Sequence, residues 1–166
     1  MSEPQRLRRQ LDVSWSLLTF QLNSAQRPDR RGSPTGALVE VLECPPEPDP
    51  APATSIAWVM WHIGFRWTHA YTRCFGKPDA APEPDDWSAA AQATPWPGDV
   101  ASAVTWLNEC RDRWSDALDS LSETDLDSTD RSGWFADGTL TLGHGVAWVN
   151  IELAKNAAEI GLLRRQ

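Results

Sequence analysis

The chain has 166 residues, 41% of them hydrophobic, and a formal net charge of −8. That length and apolar content suit one domain, residues 1–166, around a sizeable core. The acidic balance excludes a protein that tracks nucleic-acid phosphates, which needs a basic surface, and no apolar run is long enough to span a membrane.

The predicted elements begin with an amphipathic helix from about Glu3 to Ser24. Leu7, Leu11, Trp15, Leu18 and Leu22 recur at steps of three and four, which is one helical stripe. Residues 26–53 carry Pro28, Pro34, Pro45, Pro46, Pro48, Pro50 and Pro52, so no long helix fits there. Leu38 to Leu42 forms a short apolar island in that connection. A second helix starts at Thr54 or Ser55, either of which can cap it, and ends near Gly76-Lys77-Pro78. It is apolar almost all round, as a central buried helix is.

The stretch from Pro78 to Pro97 is acidic and proline-rich and reads as loop, with Trp87 and Trp96 folding back over the helices. A third helix opens at Gly98-Asp99, capped by Asp99, with Val100, Val104, Leu107, Trp114, Leu118 and Leu121 as its apolar stripe. Ser122 to Gly138 is a polar connection anchored by Trp134-Phe135. The fourth helix runs from about Thr141 to Leu163, with Val146, Val149, Leu153, Ile160 and Leu163 facing inward. Ala147, Ala154, Ala158 and Gly161 give it a small-residue side where another helix or a second subunit can approach. Four amphipathic helices without a strand pattern make an all-α four-helix bundle, and the long connections can cross it.

Cys44, Cys74 and Cys110 form no CxxC pair, which suits free thiols in a reducing compartment. Cys74 and Cys110 read as small core residues, whereas Cys44 is a loop thiol. The N-terminus lacks a basic-then-apolar leader pattern, so a cytoplasmic location is expected.

The chemistry centres on His62. A histidine among Trp58, Trp61 and Trp67 leaves water, so something must satisfy its ring nitrogens. Glu152 and Asn156 stand four residues apart on the fourth helix and share a face. If the two helices pack, an imidazole, a carboxylate and an amide oxygen converge into a metal or acid–base site. The other histidines fit less well: His69 is roughly 10 Å along the helix from His62, and His144 about 12 Å from Glu152. A blander reading stands beside this one. Glu152, Lys155, Asn156 and Glu159 share a sector in which Lys155 can pair with either acid, as on a solvated face. His62 can equally be a core histidine hydrogen-bonded to a carbonyl or an acid. No GxSxG, P-loop or dinucleotide fingerprint is present, which removes common serine hydrolysis and nucleotide hydrolysis.

Trp61-His62-Ile63-Gly64, together with the run from Trp148 to Arg164, resembles the DinB-like superfamily. That superfamily includes bacterial thiol-dependent S-transferases and the mycothiol-dependent maleylpyruvate isomerase. The resemblance implies a divalent metal, zinc or nickel, held by a histidine on the second helix and two ligands one turn apart on the last. His62 and Glu152 match the first two positions. Asn156 falls where members usually carry histidine, and its amide oxygen is a weaker ligand for zinc or nickel than imidazole. The implied activity is transfer or isomerisation of small electrophiles by a metal-activated low-molecular-weight thiol of the mycothiol type. Trp58, Trp61 and Trp148 would wall the pocket, and Glu159 would orient a ligand or bound water. The alternatives are a metal-free small-molecule-binding protein and a structural homodimer with a vestigial metal site. The expected partners are a small molecule and a second copy of the chain, not nucleic acid or membrane.

Overall fold

The computed structural model describes residues 1–25, 55–76, 87–132 and 138–165. These residues form α1 (Glu3–Ala25), α2 (Ile56–Phe75), α3 (Trp87–Gln92), α4 (Val100–Asp119), α5 (Glu123–Leu126) and α6 (Leu142–Leu163). The fold is all-helical, with no strand among the described residues. The four long helices are those predicted. The short α3 and α5 are additions within stretches read as loop, and no described helix is long and apolar enough to cross a membrane.

The helix starts follow local hydrogen-bonding chemistry. Ser55 Oγ accepts the Trp58 amide at 3.1 Å, and Asp99 Oδ1 accepts that of Ser102 at 2.7 Å. The bond from the Ser102 backbone holds the Asp99 carboxyl below the usual carboxylate range. At α5, Ser122 Oγ accepts the Asp125 amide at 3.2 Å while Asp125 Oδ2 accepts the Ser122 amide at 2.9 Å, a reciprocal capping box. This box nucleates a single turn inside a polar stretch too short to show a helical period.

The predicted stripes turn inward. Leu11, Leu18, Leu107, Trp114, Leu118, Val146, Leu153 and Ile160 are each at most 1% exposed. Trp96 is buried over the helices, as expected of it, and so are Cys74 and Cys110. The expectations for Leu38 to Leu42, Cys44, Trp134 and Phe135, and for the Trp87 side chain, lie outside the described residues.

Each of α1 and α2 packs against both α4 and α6, so the two sit diagonally across the bundle. Named contacts fix the directions. Asn150 donates to the Leu7 carbonyl at 3.0 Å, and a Cβ at Gly161 would stand 3.0 Å from the Gln21 side chain, so α1 and α6 run parallel. Thr68 meets Cys110 at 3.6 Å and Phe75 meets Trp114 at 5.3 Å between ring centroids, so α2 and α4 also run parallel. Asp12 reaches Arg111 at 3.2 Å while Arg8 reaches Asp119 at 3.8 Å, which makes α1 and α4 antiparallel. The long helices therefore run up, down, down, up. Parallel neighbours need a link that returns the length of a helix, about 30 Å for twenty residues, which accounts for the long connection between α2 and α4.

Candidate functional site

Two faces of α2 matter, because residues two apart on a helix point to nearly opposite sides. On one side, Gly64 lets the Trp106 ring of α4 lie directly on the α2 backbone. A Cβ at this position would fall 2.4 Å from the ring. Trp67 lies 5.9 Å from Trp15 of α1, and its carbonyl accepts Trp114 Nε1 at 3.3 Å. The other side carries Trp58, His62 and Arg66 and looks toward α6.

His62 is half-buried, and its ring stacks on Trp58 with centroids 4.8 Å apart and planes 21° from parallel. Burial lowers its pKa from 6.5 to about 4, helped by the positive charges of Arg66 and Lys155 and opposed by Glu152. The imidazole is therefore neutral at pH 7, with one ring nitrogen carrying a lone pair. Among the described residues the ring is held by stacking, with no hydrogen bond to either nitrogen. The influence of Glu152 and Lys155 on His62 also shows that α6 brings them to this side of α2.

On α6 the predicted sector divides. Lys155 pairs with Glu152 at 2.6 Å, as the spacing requires, with the lysine side chain 57% exposed and the glutamate only 20%. Asn156 is 2% exposed, so this part of the sector is not a solvated face. Trp58 Nε1 is buried without an acceptor, but so are Trp67 Nε1 and Trp96 Nε1, so the indole alone does not single out this site.

The remaining candidates separate. Trp61 is 5% exposed, stacks on Phe65 at 5.3 Å and 6°, and donates to the Thr94 carbonyl at 2.8 Å. It clamps the segment after α3 to α2. Trp148 is partly buried against the core, and half-buried Glu159 follows Asn156 by three residues on α6. His69 is buried, its ring 6.1 Å from that of Phe65. His144 serves the start of α6: its Nδ1 accepts the Thr141 amide at 3.0 Å and lies 2.9 Å from Thr141 Oγ1. Among the described residues no three His, Cys, Asp or Glu side chains come together in a way that could hold a metal ion. A metal at His62 would therefore draw on the Asn156 amide as well as Glu152. Sequence reasoning missed Arg66, although its place four residues after His62 sets its charge beside the ring.

The family model of the DinB superfamily matches residues 6–160, from the start of α1 to the last turn of α6. No curated protein and no solved structure matches the chain.

Proposed function

Because this chain belongs to the DinB superfamily, we propose that its His62 site binds a divalent metal ion and a small thiol, and that the protein is a thiol-dependent S-transferase or isomerase for small electrophiles. One observation carries the reading. Burial keeps His62 neutral, and the helix that sets the charges of Glu152 and Lys155 against its ring also carries the buried Asn156. The donor set fits a divalent ion: one imidazole lone pair, one carboxylate and one amide oxygen. Zinc or nickel bound there would lower the pKa of a coordinated thiol and so raise its nucleophilicity at neutral pH.

The protein's own residues supply the rest. Trp58 holds the imidazole plane by stacking. Burial keeps His62 unprotonated, so its lone pair remains available to a ligand. Glu152, only 20% exposed, presents its carboxylate from α6. Trp58 and Trp148 shelter the site from water, and Glu159 orients a ligand from the next turn. A cytoplasmic setting, in which Cys74 and Cys110 stay reduced, belongs to the same proposal.

Equilibrium dialysis against zinc tests the reading. The expected result is one ion per chain, lost in His62→Ala and weakened in Glu152→Gln. Absence of zinc at saturating concentration, with tryptophan fluorescence still quenched by small organic ligands, would replace it with metal-free binding.

A second reading concerns assembly. Val13, Leu17 and Phe20 lie on one side of α1 and are 62%, 48% and 62% exposed; Ile151 and Leu162 of α6 are 59% and 64% exposed. Since α1 packs along α6, we propose that these two helices carry a homodimer face. Of the predicted small-residue side, Gly161 is already used within the chain, against Gln21 of α1. Light scattering should show a dimer that Phe20→Glu dissociates, and a monomer at high concentration would remove this reading.

A further inference from the structure

Lys155 occupies the carboxylate that the proposed site needs. Its Nζ stands 2.6 Å from Glu152 Oε2, three residues back along the same helix. The two partners differ in their access to water. Glu152, at 20% exposure, has lost much of its hydration and requires a compensating positive charge. Lys155, at 57%, keeps water around a flexible four-carbon stem and can release the carboxylate at little cost. Its charge also bears on the second donor, since it is one of the two cations that disfavour positive charge on His62.

We infer that Lys155 is a built-in counter-cation: its ammonium holds Glu152 when the site is empty and must leave before a divalent ion can bind, so it sets the affinity of the site. This rests on the reading of His62, Glu152 and Asn156 as the donor set. A dication beside Glu152 would otherwise face the ammonium at a few ångströms, a repulsion that remains appreciable even in a watery dielectric. Metal entry is therefore an exchange of one cation for another on a single carboxylate. The lysine, together with the amide at 156, biases the site toward weak and reversible occupancy.

Cobalt(II) titration followed by visible absorption, with zinc competition, tests this in the full chain. Lys155→Met removes the charge and keeps the stem; Lys155→Gln is the second variant. Both should bind cobalt at least about tenfold more tightly than the unaltered protein, from the lost pair and the lost repulsion together. Adding His62→Ala to either should abolish the gain. Unchanged or weaker affinity in both lysine variants, with His62→Ala still abolishing binding, would overturn the role of Lys155 and leave the donor set standing. No cobalt bound by any variant would overturn both.

Discussion

Helix α2 has two sides that the chain treats in opposite ways. Toward α4, Gly64 gives up its side chain so that Trp106 can lie on the backbone, and the Trp114 ring meets Tyr71 and Phe75 edge-on at 82° and 83°. Toward α6, the same helix presents Trp58, His62 and Arg66, and α6 answers with Glu152 and Lys155. The first side is joined by shape, the second by charge. A helix that reads as apolar all round can thus hold a structural seam and a polar face back to back. The seam makes the polar face tolerable, because apolar packing elsewhere offsets the cost of burying polar groups.

The largest effect should come from breaking the seam. Trp114 is 1% exposed, and Trp114→Ala should cost about 3–5 kcal/mol in chemical denaturation. Gly64→Ala comes next. Its new Cβ would meet the Trp106 ring, and the overpacking should cost about 1–3 kcal/mol, lowering Tm by about 2–4 °C per kcal/mol. Adding Trp106→Leu should restore part of the loss; no restoration would deny that the two residues touch.

On the polar side, acid is the sharper probe. The His62 pKa falls from 6.5 in the unfolded chain to about 4 in the folded one. The unfolded state therefore binds the proton more readily, and the stability linked to this group is complete above about pH 6.5. That stability drains away as pH falls toward 4. His62→Gln should flatten this window in a plot of unfolding free energy against pH, and an unaltered slope would place the titration elsewhere. The smallest stability change should come from Asn156→Leu. Replacing this buried amide by an apolar side chain of similar size should shift stability by no more than about 1 kcal/mol while weakening zinc binding. A loss of several kcal/mol would show that the protein itself satisfies Asn156.

The seam and the polar face were unequally legible in the sequence. Steps of three and four located α1, α4 and α6, an apolar run between a cap and Gly76-Lys77-Pro78 located α2, and Ser55 and Asp99 marked two starts, because periodicity and capping are local. Helices α3 and α5 have six and four residues, too few for a period to show. The pairing of Lys155 with Glu152 followed from spacing alone. The burial of Asn156 did not, since charged residues lie near it in sequence and only the packing of α6 within the bundle decides which edge of that polar sector is covered. The role of Gly64 was equally hidden: nothing local says that a tryptophan 42 residues later will lie against it.

Trp106 resting on Gly64 has a mechanical consequence for the opposite side of the helix. A flat ring seated in a notch acts as a key, so α2 cannot roll about its own axis without lifting the indole out. The bearing of the imidazole toward α6 is thus set from behind. Turning the imidazole to a new bearing would therefore begin with residue 106 rather than with residue 62.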